Sequence, residues 1–279
     1  MNIRKVLYLF TSVLFLVSIT GCADKTDNAV VETLDFEIKT LSADTVHTLF
    51  GGKNGPKCEV EYSLNYAEGK DAGYINSFII KKIFPQADTS SMETAVHNEI
   101  MEIVDDYKAT LKGVTKKNIS DGSISQESAE YKRSVKSSYE ILSNEVLVYN
   151  LAFSEQAYGE ETGVENEFTF NLSIQDKKEI TLDDIFVQGY KARLVDKIIT
   201  VMADSYKVNG IEGLRSKGIF TDGMPYAPDN FVITKDEIIF VYNPFEIAGR
   251  RHGIIKVNIP AEQLKDIMKK ERYAFFDIK

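Results

Sequence analysis

Tyr131-Lys132-Arg133-Ser134-Val135-Lys136-Ser137-Ser138-Tyr139-Glu140-Ile141, then Ser143-Asn144-Glu145, then Leu147-Val148-Tyr149-Asn150-Leu151-Ala152-Phe153, is the stretch from which the fold can be read. Tyr131, Val135, Tyr139 and Ile141 share one parity, as do Leu147, Tyr149, Leu151 and Phe153. Alternation with period two means strands that bury one face. The polar trio between them offers a turn, so the pair reads as an antiparallel hairpin.

Upstream, residues 35–45 read as a first strand, and after the turn at Gly51-Gly52 the next run puts Cys58, Val60, Tyr62, Leu64 and Tyr66 on one face. Ser90 and Glu93 suggest a capping box. Met92, Ala95, Val96, Ile100, Ile103, Val104, Tyr107 and Leu111 follow at helical spacing, and Gly113 closes the helix. Downstream, residues 155–167 are acidic and hold two glycines, which predicts a loop between two halves of the chain. Phe168, Phe170, Leu172 and Ile174 alternate as a strand, and Thr181 caps a short helical turn that holds Asp183 and Asp184. Tyr190, Leu194, Ile198, Val201 and Met202 mark a second helix that stops near Asn209-Gly210. Residues 231–234 and 238–242 flank Lys235-Asp236-Glu237 as a hairpin, Ile255, Val257 and Ile259 form a last strand, and Pro260 opens a third helix.

Hairpins with helices between them, and no regular strand-helix alternation, predict an α+β fold of antiparallel sheets packed by three main helices in two consecutive subdomains. The expected divisions are a signal peptide at 1–21, a lipidated tether at 22–33, an N-terminal α+β unit at 34–154, the acidic loop at 155–167, a C-terminal α+β domain at 168–272 and a tail at 273–279.

The leader carries the sharpest motif. Arg4 and Lys5 precede an apolar run over 6–19 that ends in Ile19-Thr20-Gly21-Cys22. That run is shorter than the ~20 residues a spanning helix needs and has the length and flanks of a signal peptide. A branched apolar residue, two small ones and a cysteine resemble a lipobox, which predicts lipidation and cleavage at Cys22; an ordinary secretory leader with an incidental cysteine is the alternative. Several acyl chains anchor stably where one does not. The expected location is the cell envelope, on a bacterial membrane, facing the periplasm or the surface.

With 43% hydrophobic and 27% charged residues, the body has the make-up of a folded domain. Its formal charge of −9 deepens when Arg4 and Lys5 leave with the leader, which disfavours nucleic acid and favours encounter with a basic partner. Cys58 has no second cysteine once Cys22 is lipidated, so the core must supply stability without a disulfide.

Chemistry is sparse. His47, His97 and His252 belong to no paired-histidine metal motif, and no metal or cofactor is expected. Gly122-Ser123-Ile124-Ser125 lacks the second glycine of a nucleophile elbow, and Gly210, Gly213 and Gly218 lack phosphate-cradle spacing. Acidic pairs can hydrolyse glycans, but adjacency alone does not aim Asp183-Asp184 or Glu160-Glu161 at one substrate. In Asn243-Pro244-Phe245-Glu246 the proline fixes a turn and the flanking aromatics are expected to pack.

Glu179-Ile180-Thr181-Leu182-Asp183-Asp184-Ile185-Phe186, Phe240-Val241-Tyr242-Asn243-Pro244-Phe245-Glu246-Ile247-Ala248 and Gly253-Ile254-Ile255-Lys256-Val257-Asn258-Ile259-Pro260 resemble the bacterial envelope domain of unknown function 3298. The resemblance covers residues 168–268, and the preceding half is similar to that domain's usual N-terminal companion. The family occurs in lipoproteins, in a lysozyme-sensing anti-sigma factor and beside the catalytic domain of a peptidoglycan deacetylase. What it implies is a non-catalytic binding module for a cell-wall component, such as peptidoglycan, or for a basic wall-active protein such as lysozyme. The alternative is an envelope enzyme that hydrolyses glycan or peptide with an unrecognised carboxylate pair. The family's Tyr-x-Gly-Gly-Ala-His segment corresponds here to Tyr158-Gly159-Glu160-Glu161-Thr162-Gly163, where the histidine is lost and two acids are gained. Tyr158, Glu160, Glu161, Glu165 and Glu167 are therefore the candidate partner-binding residues.

Overall fold

The computed structural model of the chain describes residues 35–51, 55–88, 90–143, 145–160 and 162–276. The expected signal peptide, Cys22 and the tether lie outside the described residues, and among the described residues no helix is long and apolar enough to cross a membrane.

The fold is α+β. Six strands, β1 (Glu37–Thr48), β2 (Lys57–Glu68), β3 (Tyr131–Leu142), β4 (Val146–Gln156), β5 (Val164–Ser173) and β6 (Lys178–Glu179), form one sheet in sequence order. The expected hairpin is present, with β3 and β4 paired from Lys132↔Gln156 to Leu142↔Val146. The sheet is mixed, however, where antiparallel pairing was expected throughout. β2 and β3 run parallel, with Cys58 beside Tyr131 and Ser63 beside Lys136. A parallel pair needs a long crossover, and α1 (Ala72–Ile83), α2 (Met92–Thr110) and α3 (Lys116–Ser120) supply it.

Helix α2 forms where its periodicity predicts, but its cap is Ser91, whose hydroxyl accepts from the Thr94 amide, not Ser90. Sequence reasoning passed over α1, although Ala72, Ile75, Ile79 and Ile80 make a buried helical stripe. Together α1 and α2 cover one face of the sheet, packing Ile75, Ile79, Val96, Val104 and Tyr107 on Cys58, Val60, Tyr62, Leu64 and Val135. Gly69 makes the corner between β2 and α1 possible. Its φ is +129°, and a Cβ there would lie 2.4 Å from the Asp35 carbonyl oxygen.

Strand β4 is buried on both faces at its start, and this organises the rest. Leu147, Tyr149 and Leu151 face the first core, while Val146 and Val148 face a second. The second core is built by α4 (Leu182–Ile185), α5 (Lys191–Ser205), α6 (Gly210–Ser216), a three-stranded sheet of β7 (Phe231–Ile233), β8 (Glu237–Tyr242) and β9 (Ile255–Pro260), and α7 (Ala261–Leu264). Leu194, Ile198 and Met202 of α5 lie against Phe240, Val257 and Ile259. The expected third long helix is the single turn α7. Pro260 ends β9 and caps α7, which stops at Leu264.

The expected loop at 155–167 is shorter than its charge suggests, because residues 155–156 end β4 and 164–167 begin β5. β4 and β5 pair from Val146↔Ser173 to Glu155↔Val164, so the chain turns within the sheet with residues 157–160 and 162–163 outside it. The edge of β5 is then closed by side chains in place of a strand. Asn243 accepts from the Glu167 amide at 2.8 Å and donates to the Glu167 carbonyl at 3.0 Å. Asn230 accepts from the Thr169 amide at 2.9 Å and donates to the same Glu167 carbonyl at 2.7 Å. Asn171 reaches back to the Phe231 carbonyl at 2.8 Å. Asn243 is thus a clasp between the two sheets. Of the flanking aromatics Tyr242 packs, but Phe245 remains 63% exposed at a φ of 71°, contrary to the expected packing.

Candidate functional site

Helices α1 and α2 cover one face of the large sheet, and the second core covers the β3–β5 end of the other. What remains open is the outer face from β1 to β5, which encloses a concavity of about 640 Å³. Strand parity decides which side chains reach it. On β1 the exposed parity is Ser42, Asp44 and Val46, and on β2 it is Glu59, Glu61 and Ser63.

Register then places residues from five strands in one transverse row. Asp44 is opposite Glu61, Glu61 beside Ser134, Ser134 opposite Ser154, and Ser154 opposite Glu165. At about 4.8 Å per strand the row spans roughly 19 Å. A second row runs Val46, Glu59, Lys132 and Gln156. Small side chains occupy the middle and carboxylates stand at both ends.

The electrostatics are uneven. Glu61 is compensated by Lys136 at 3.2 Å and accepts from the Ser134 hydroxyl at 3.3 Å. Lys132 is engaged by Glu130 at 3.2 Å. Asp44 and Glu165 have no ion-pair or hydrogen-bond partner among the described residues. Asp44 faces Glu61 across the β1–β2 pair, and since Glu61 already has Lys136, the carboxylates open to a bound cation are those of Asp44 and Glu165.

Beneath this face Arg133 holds sheet and helix together. Its guanidinium donates to Glu155 at 2.7 Å and Glu99 at 2.9 Å and lies over the Phe153 ring. Burial opposes its charge, but Glu155, Tyr131 and Tyr62 outweigh burial and raise its pKa further. The same Glu155 accepts from the Tyr131 hydroxyl.

The five candidate residues from the sequence are not brought together. Glu165 lines the open face. Tyr158 turns toward the helix side, its hydroxyl 3.4 Å from Thr110 Oγ1. Glu160 is exposed in the turn, where its carbonyl accepts from Gln156 at 3.1 Å, and Glu161 lies outside the described residues. Glu167 is paired with Lys256 and held by the two asparagines. Asp44, Glu59 and Glu61 went unnoticed in the sequence, where their only signal is the polar parity of two strands.

Of the carboxylates weighed for hydrolysis, that of Asp184 is taken up by structural partners. Asp184 accepts from the Thr181 amide and hydroxyl and from Lys178 at 2.8 Å. Burial alone would raise its pKa, but these bonds bring it down to about 2. The Asp183 carbonyl accepts from Lys269 at 2.8 Å. His47 stacks edge-on to Tyr107, and burial followed by Lys108 lowers its pKa. Among the described residues no group of three or more His, Cys, Asp and Glu is placed to hold a metal ion.

Comparison with known proteins gives a family for one segment and a fold for most of the chain. Residues 183–262 match the model of a family described as "Protein of unknown function (DUF3298)". A DUF3298-family crystal structure from Bacteroides fragilis superposes with a TM-score of 0.77 at 22% identity, covering 86% of this chain and 96% of that one. Another, from Pseudomonas aeruginosa, has a TM-score of 0.58 at 12% identity and covers 88% of this chain and 98% of that one. No curated protein matches.

Proposed function

We propose that this chain, whose residues 183–262 match the DUF3298 family, is a lipid-anchored envelope protein that binds a basic, wall-active partner such as lysozyme without chemistry of its own. The row Asp44, Glu61, Ser134, Ser154 and Glu165 carries this reading. It is concave and open and bears unpaired carboxylates at both ends. A cationic surface that enters it can pair with Asp44 and Glu165, whereas an uncharged glycan cannot. Anchoring through Cys22 would hold the face within reach of proteins arriving at the wall.

The direct test is binding of hen lysozyme at increasing salt, with purified peptidoglycan alongside. An electrostatic complex weakens as the Debye length falls from about 10 Å at 0.1 M to about 3 Å at 1 M. Exchanging Asp44, Glu61 and Glu165 for their amides removes three exposed pairings of about 0.5–1 kcal/mol each, or about ten- to hundredfold in affinity. No capture of lysozyme at low salt ends this reading, and capture of peptidoglycan alone replaces it with wall binding. Retention of a Cys22→Ser chain in the membrane fraction would remove the anchor.

A further inference from the structure

The sheet ends at β1, a strand of 12 residues whose outer edge no other strand of the described residues occupies. Proteins ordinarily blunt such an edge with proline, a bulge, a short strand, charged side chains or a covering element. Of these devices only charged side chains, Glu37, Lys39 and Asp44, are seen on β1 among the described residues. It contains neither proline nor glycine, and it pairs with β2 without interruption from Glu37↔Glu68 to Thr48↔Lys57. Apart from the turn bond from the Gly51 amide to the Thr48 carbonyl at 3.1 Å, no hydrogen bond from a described residue reaches its outward backbone groups. α2 packs on its inner face, where His47 meets Tyr107.

From this edge and the adjoining face we infer that β1 receives an extended basic peptide segment of the partner, which adds to the sheet as a further strand. The inference rests on the reading of the open face as a cation-binding surface and states how the partner engages it. An added strand presents alternate side chains to the open face, one strand spacing of about 4.8 Å from Ser42, Asp44 and Val46. A lysine or arginine there reaches Asp44, which has no partner, and Glu61 one strand further in. Main-chain bonds along β1 supply affinity for any strand, and the carboxylates select a basic one. A second copy of this chain is a poorer occupant. Antiparallel pairing of two β1 edges about a two-fold axis would bring both sets of Asp44, Glu59 and Glu61 onto the same face of one continuous sheet.

The test uses the full-length chain and a capped peptide of about ten residues, roughly the span of β1, alternating lysine and valine. Its controls are a glutamate-valine peptide and a lysine-valine peptide N-methylated at every residue, which can donate no main-chain hydrogen bond along either edge. Anisotropy of a labelled peptide measures binding, and residue-resolved amide exchange shows where. The lysine peptide is expected to slow exchange of alternate β1 amides by about tenfold or more, with no such protection from either control. Asp44→Lys should weaken binding by about tenfold with the unfolding midpoint unchanged. Binding of the peptide and of lysozyme without β1 protection would refute strand addition and leave the open-face reading intact. Failure of both ligands to bind would remove the two together. Protection of β1 in the free chain that grows with protein concentration would assign the edge to a second copy and overturn the proposal.

Discussion

Replacing Asn243 by alanine tests whether the junction between the two sheets depends on side-chain amides standing in for a strand. Asn243 is 6% exposed and holds both the amide and the carbonyl of Glu167. Its removal leaves the Glu167 amide without an acceptor, while the Glu167 carbonyl keeps Asn230 as donor. An unsatisfied buried donor costs about 1–3 kcal/mol, and the partial burial of this one puts the expected loss at about 1–2 kcal/mol. Asn230→Ala strands the Thr169 amide and should cost about as much. The double variant leaves the shared carbonyl with no donor, so its loss should exceed the sum of the two by about 1 kcal/mol, as residues in one network couple. Asn243→Asp separates polarity from shape. Its carboxylate can accept from the amide but repels the carbonyl, so it should destabilise more than alanine at neutral pH and recover once protonated, below about pH 4. Urea unfolding followed by far-ultraviolet circular dichroism suits a chain without tryptophan. A loss below about 0.5 kcal/mol for Asn243→Ala, or strict additivity in the double variant, would refute the clasp.

Gly69→Ala forces a side chain into a left-handed φ and against the Asp35 carbonyl, so a loss of about 2–4 kcal/mol is expected in the same urea assay. Survival of that substitution with an unchanged midpoint would mean that the corner relaxes freely. Asp184 has its folded pKa lowered to about 2, so its stabilisation is full above the unfolded value near 4 and is lost as pH falls through about 2. Solvent screening reduces that contribution to about 1 kcal/mol, and Asp184→Asn should flatten the acid limb of stability between about pH 4 and 2 while removing the gain at pH 7. Cys58 is fully buried, and burial pushes its thiol up to about 12, so alkylation at pH 8, mapped by peptide mass, should follow global unfolding. Rapid labelling of native protein would contradict that burial.

How far the fold can be read from the sequence depends on how each strand divides its two faces. The β3–β4 hairpin and β2 are legible because one parity is apolar and the other polar, as with Cys58, Val60, Tyr62 and Leu64 against Glu59, Glu61 and Ser63. Residues 155–156 and 164–167 mislead for the same reason in reverse. The outward parity of β5 there is Glu165 and Glu167, two glycines mark a tight turn, and the charge that suggests a loop belongs to the solvent face of a strand. The parallel pairing of β2 with β3 has no local signature, because it follows from a crossover of some sixty residues. The site lies beyond reach for a related reason. Asp44, Glu61, Ser134, Ser154 and Glu165 become neighbours only through four pairings, and polar parity on any one strand does not say which partner stands beside it.

The border of the open face is nevertheless written along three strands at matching register. On β4 one parity runs from Val146 and Val148, both buried, to Asn150, Ala152, Ser154 and Gln156. On β3 the facing residues run from buried Leu142 to Glu140, Ser138, Lys136, Ser134 and Lys132. On β5 they run from buried Ser173, Asn171 and Thr169 to Glu167 and exposed Glu165. Each strand changes character where the second core stops covering it, so one continuous sheet serves as core wall at one end and as surface at the other. An uncovered face needs only to be polar, and long charged side chains throughout would meet that need. Instead the middle is kept small by Ser134 and Ser154, and the carboxylates of Asp44, Glu61 and Glu165 flank it, which makes the surface concave. Solubility explains the polarity of this face but not its hollow centre, and that hollow is the physical reason to look for a ligand there.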